Sequence, residues 1–204
     1  MSANVTDNKN GAPLEHYRAL FAQADCAGLS ARSGVPYHDG AFHLTLLSRR
    51  VKLLWPGMEL VDGENGSPLS AASRILLGRL LLEGTLAESS GKFLAYSQLP
   101  WGSVYNAQFT GRCVRRLARE YGTDPKRLDE ACARLGGKHV SGGDTAWELA
   151  FLPELLIRVT LWEGDEEFPA SAQVLFSDNF PAAFTAEDVA VVGDVLINAL
   201  KNRW

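Results

Sequence analysis

Two apolar runs of period two, "TAWELAFL" at 145–152 and "LLIRVTLW" at 155–162, flank Pro153. In the second run Ile157, Val159 and Leu161 fall on one side and Arg158, Thr160 and Trp162 on the other. Side chains alternate across a strand, so the pattern predicts two strands joined by a tight turn at Pro153. Phe42, Leu44 and Leu46, then Val51, Leu53 and Trp55, repeat the pattern around a polar "SRR" and predict a second hairpin. "KFLAYSQLP" reads as a further short strand.

Elsewhere the period lengthens to that of a helix. Leu14 to about Ser33, "SAASRILLGRLLLEG", "VYNAQFTGRCVRRLAREYG", "DPKRLDEACARLGG" and "TAEDVAVVGDVLINALK" each carry such a stripe. Ser70 and Asp124 stand where helix N-caps belong, and Thr185 with Asp188 has capping-box spacing. Strands come in hairpins and helices in runs, without regular alternation. The expectation is an α+β fold, an antiparallel sheet built from hairpins and packed with about five helices. Residues 1–13 read as a flexible tail, and 14–204 as one domain.

Composition narrows the function classes. The chain has 204 residues, and 20 basic against 24 acidic side chains give a net charge of −4. Nothing in that balance suggests a nucleic-acid or membrane partner. Cys26, Cys113 and Cys132 lie far apart, with no CxxC pair, and read as reduced thiols of a cytoplasmic protein. The polar start "MSANVTDNKNGAP" lacks the apolar core of a signal peptide. HExxH, GxxxxGK[ST] and GxSxG patterns are all absent, so no catalytic residue, metal ligand or cofactor is assigned. His38 and Asp39 in "YHDG" are a weak two-residue signal, and His43 reads as a packed strand residue.

Two charge clusters stand out. Glu163, Asp165, Glu166 and Glu167 crowd the end of the predicted strand, between Trp162 and Phe168. Clustered carboxylates can hold a hard cation, do acid/base work, meet a partner or ligand, or simply face water. Arg112, Arg115, Arg116 and Arg119 form a helical stripe that can bind phosphate or an acidic partner, lie solvated, or neutralise the acidic loop within the molecule. Trp55, Trp101, Trp147 and Trp162 each fall near a strand end or loop, where Trp lines a pocket or plugs a core edge. The favoured expectation is a non-enzymatic binding or accessory protein, with a protein or a small molecule as partner. The alternative is a ligand- or metal-binding enzyme with an acidic site around 162–168.

"ILLGRLLLEG", "YNAQFTGRCVRRLAREYG", "GGDTAWELAFLPELLIRVTLWEGDEEFPASAQVLFSD" and "EDVAVVGDVL" resemble the domain-of-unknown-function 3786 family of mainly anaerobic bacteria and archaea. The resemblance runs from about Leu14 to Lys201 and is most specific from Pro153 to Asp178. It implies no established activity. Relatives fused to a cysteine-rich iron–sulfur module imply anaerobic one-carbon or corrinoid metabolism. The resemblance implies that many relatives carry a His–Tyr pair in the first central helix, where this chain has Gly78 and Arg79.

Overall fold

The computed structural model describes the backbone of residues 11–204 and the side chains of residues 14–204. Most of the tail expected at 1–13 lies outside the described residues, while Gly11 already opens a helix. The architecture is α+β, with a four-stranded and a five-stranded sheet, both antiparallel. Contacts divide the chain into two units. One takes the chain through Leu44 and again from Arg50 to Thr85. The other takes Thr45–Arg49 and Leu86–Trp204.

The first unit begins with α1 (Gly11–Gln23) and α2 (Cys26–Ser33). The sequence pattern predicts a single helix here. Asp25 breaks it, because its carboxylate accepts the Ala27 and Gly28 N–H groups and so starts α2 afresh. β1 (Tyr37–His38), β2 (Ala41–Leu46), β3 (Arg49–Leu54) and β4 (Glu59–Asp62) come next, in the same order in space as in sequence. α3 (Ala71–Glu83) starts where expected, with the Ser70 hydroxyl accepting the Ser73 N–H. Leu76, Leu77, Leu80 and Leu81 of α3, Phe21 of α1 and Phe42, Leu53 and Leu60 of the strands are buried. Each such side chain contributes about 1.5–3 kcal/mol of burial.

The second unit holds β5 (Phe93–Ala95), a 3₁₀ turn (Tyr96–Gln98) and a long helical stretch. That stretch is α4 (Gly102–Phe109), a π turn (Thr110–Val114) and α5 (Arg115–Tyr121). Next come α6 (Pro125–Arg134), β6 (Lys138–Val140), β7 (Thr145–Leu152), β8 (Leu155–Trp162), β9 (Ser171–Ser177), α7 (Phe180–Ala183) and α8 (Ala186–Leu200). Asp124 does stand at the N-cap of α6, but its side chain makes no capping bond. At α8 the capping box of Thr185 and Asp188 is complete.

The sheet order is β5-β9-β8-β7-β6. The hairpin at Pro153 is present, with Leu152 opposite Leu155. Leu149, Phe151, Ile157, Val159, Leu161, Val174 and Phe176 are buried along the middle strands. α5 packs against β8 and β9, α6 against β7, and α8 against α4, α6 and the π turn. Phe109 meets the edge of Phe176 at 5.8 Å between ring centroids.

The turn expected at "SRR" falls one residue earlier. Leu47 and Ser48 occupy it, at φ +47° and +66°. The Leu47 N–H donates to Phe151 O at 3.0 Å and the Ser48 hydroxyl to Leu135 O at 2.6 Å, which fixes an otherwise unfavourable turn pair.

Candidate functional site

β8 ends at Trp162, which pairs with Ser171 of β9, and residues 163–170 form the loop between them. Its neck is narrow: a Cβ on Gly164 would lie 2.6 Å from Ala170 N, so only glycine fits. Asp165 then shapes the loop. Its Oδ1 accepts the Glu167 N–H at 2.8 Å and the Phe168 N–H at 2.7 Å, while its own N–H donates to Phe168 O at 2.9 Å. Those donors stabilise the ionised form and hold the carboxyl below the ordinary aspartate range.

Two further contacts anchor the loop. Glu163 N–H donates to Asp144 Oδ2 at 2.7 Å, and Asp144 N–H to Leu161 O at 2.9 Å. Ala170 lies against Gly122 at the end of α5, where any Cβ would come within 2.2 Å of the Ala170 Cβ. One acid of the cluster thus folds the loop. Glu163, Glu166 and Glu167 are exposed and make no ion pair among the described residues. Water and salt screen their repulsion. Beside them Phe168 is 66% and Trp162 39% exposed.

The arginine stripe divides in two. Arg112 binds the Asp194 carboxylate, and Arg116 reaches Asp194 at 3.7 Å and Asn198 Oδ1 at 2.8 Å. Arg115 and Arg119 point outward and have no ion pair among the described residues. No described ion pair joins stripe to loop, so internal neutralisation is not what holds the acids together. Asp194, Asn198 and Asp144 carry these arrangements, and none of them belongs to a charge cluster visible in the sequence. Asp194 and Asn198 do sit four apart on the C-terminal helix, which marks a face but not its partner.

The tryptophans separate likewise. Trp147 donates its indole N–H to Asp129 Oδ1 at 2.7 Å and plugs a core edge. Trp55 donates to Phe21 O at 3.3 Å but stays as exposed as Trp162, and Trp101 is more open than either. In the first unit His38 stacks on His43 at 3.7 Å and meets Asp39 at 3.0 Å. Among the described residues no three His, Cys, Asp or Glu side chains gather closely enough to hold a metal. No helix among them is long and apolar enough to cross a membrane. Burial pushes the Cys113 thiol up to about 12 and the Cys132 thiol higher, away from thiolate chemistry.

The family model for the domain of unknown function DUF3786 matches residues 25–199. The chain belongs to the DUF3786 family. The DUF3786 span opens at Asp25, the cap of α2, and leaves α1 outside. Neither curated proteins nor solved structures give a match. Gly78 of α3 faces Met58: a Cβ there would stand 2.6 Å from the Met58 Sδ. α3 is thus packed closely on the turn that carries Met58 between β3 and β4.

Proposed function

We propose that this DUF3786 protein is a non-enzymatic binding or accessory protein that docks a basic, partly apolar protein segment on residues 162–168. One observation carries the proposal. The loop is held in shape by Asp165, while Glu163, Glu166 and Glu167 have no ion-pair partner among the described residues and flank two exposed aromatic rings. A preorganised acidic and aromatic surface selects cations that also bring apolar area, with little ordering cost on its own side. Since some members that the family resemblance covers are fused to an iron–sulfur module, a protein of anaerobic one-carbon or corrinoid metabolism is the first partner to try.

The test is fluorescence anisotropy with a labelled Lys/Arg-rich peptide containing Leu and Phe, beside a neutral peptide of equal length. The full chain binds the basic peptide, more weakly as salt rises, and the triple change Glu163→Gln, Glu166→Gln, Glu167→Gln weakens it about tenfold or more. Equal affinity for the parent and the triple variant overturns the proposal.

A further inference from the structure

α1 stands apart from the domain on which it lies. The family span opens at Asp25, so it contains Phe42, Trp55 and α3 but leaves α1 outside. α1 packs on α3, and Phe42 and Trp55 meet it from the sheet side. Of the described side chains in α1 only Phe21 is fully buried. Leu14 and Tyr17 are half-buried, and the rest are exposed, Leu20 among them. Leu14, Tyr17 and Phe21 fall at i, i+3 and i+7, the spacing with which an amphipathic helix lays one face into a groove.

Each wall of that groove meets a different part of the helix. The Phe42 ring takes Phe21 at 5.6 Å between centroids, and both rings are fully buried. The Arg79 guanidinium, ion-paired with Glu83 at 3.3 Å, lies 5.2 Å from the centre of the Tyr17 ring. Ile75, Leu76 and Leu82 flank Arg79 on the same face of α3. The Trp55 indole N–H donates to Phe21 O at 3.3 Å, a carbonyl in the last turn of α1, where helix carbonyls lack intrahelical donors. The Glu15–Arg18 ion pair lies within α1 itself and adds no hold on the groove. A helix of 13 residues is marginal in water on its own, so α1 depends on the groove for its shape. A segment seated by one fully buried anchor belongs to the part of a fold that opens first.

We infer that α1 is a displaceable strap over a helix-binding groove, whose ligand in trans is an amphipathic helix of a partner protein. The seated α1 defines that ligand: an apolar residue at i, aromatic rings at i+3 and i+7, and a helix end just past the second ring. A lipid chain or an extended strand would leave the Trp55 N–H and the Arg79 guanidinium without the carbonyl and ring that they meet now. Because α1 is tethered, it competes at an effective concentration on the order of 1 mM. Only a helix that binds better than α1 opens the groove. This surface goes beyond the acidic loop's role and uses none of its residues.

Fluorescence anisotropy with a labelled peptide of residues 11–24 tests the inference on the full chain. The Phe21→Ala chain, whose own strap has lost its anchor, binds the peptide about tenfold or more tighter than the parent, whose groove is filled. The same peptide carrying Phe21→Ala binds neither chain. Hydrogen exchange of the parent is a second readout that needs no variant. The α1 amides exchange about a hundredfold or more faster than those of α3, at a rate that low urea leaves unchanged. Equal peptide affinity of the parent and Phe21→Ala chains, or α1 amides that exchange as slowly as those of α3, overturns the inference. So does a concentration-dependent dimer of the parent that Phe21→Ala abolishes, since the groove would then belong to α1 of a second copy.

Discussion

Asp165 and Phe168 bind each other twice: the carboxylate accepts the Phe168 N–H at 2.7 Å, and the Phe168 carbonyl accepts the Asp165 N–H at 2.9 Å. The pair is exposed to solvent, yet it closes the loop that presents the other acids.

This predicts a pH transition in the loop. The folded Asp165 carboxyl lies below its ordinary value of 3.8 because the Phe168 and Glu167 amides stabilise the ionised form. The loop's order is therefore complete at neutral pH, persists through the ordinary carboxylate range, and is lost as pH falls through the lowered value. In an NMR titration the Glu167 and Phe168 amide shifts should move with a midpoint below 3.8, and Asp165→Asn should abolish that step.

The stripe should split on mutation as it splits in space. Asp194→Ala leaves Arg112 and Arg116 without their carboxylate and costs about 1–2 kcal/mol. Arg115→Ala and Arg119→Ala stay within about 0.5 kcal/mol of the parent. Urea unfolding of the four chains compares them directly.

Gly193 of α8 faces the π turn, and a Cβ there would approach Cys113 Sγ to 2.6 Å and the Phe109 ring to 3.1 Å. Gly193→Ala gains about 1 kcal/mol of helix propensity, but the overlap in a packed core outweighs it. A net loss of about 1–2 kcal/mol is expected. The loss shrinks in a Cys113→Ala background, and a double-mutant cycle of thermal melts measures that coupling.

Thiol labelling should be selective. Cys113 and Cys132 are buried and their thiols are raised by that burial, whereas Cys26 is half-exposed. At pH 8 the folded protein reacts at Cys26 alone, and denaturant releases the other two. Mass spectrometry of the alkylated peptides reads the sites.

The legible part of the fold is local. The β7–β8 hairpin, the Ser70 cap and the Thr185–Asp188 box are each set by neighbours in the chain, and each is present. β9 is harder to read although Ala172, Val174 and Phe176 alternate with Ser171, Gln173 and Ser177; its run directly adjoins the acidic cluster and Pro169, whose loop chemistry masks the strand's start. β4 has only four residues, with an acid at each end, too short for a period to register. For the candidate site, the loop's place after Trp162 is set by the strand before it. Which carboxylate shapes the loop depends on backbone geometry, and the partners of Arg112 and Arg116 lie some 80 residues on, at a separation no spacing rule reaches.

The π turn at Thr110–Val114 carries one residue more per turn than the helices on either side. In a regular helix one added residue would rotate everything beyond it by about 100° around the axis. The wide turn takes that residue up within itself, so α5 keeps the facing it would have without it. A chain shortened by one residue at Gly111 would resume an ordinary helix while Arg115 and Arg119 hold their present direction and Trp101 stays where it is.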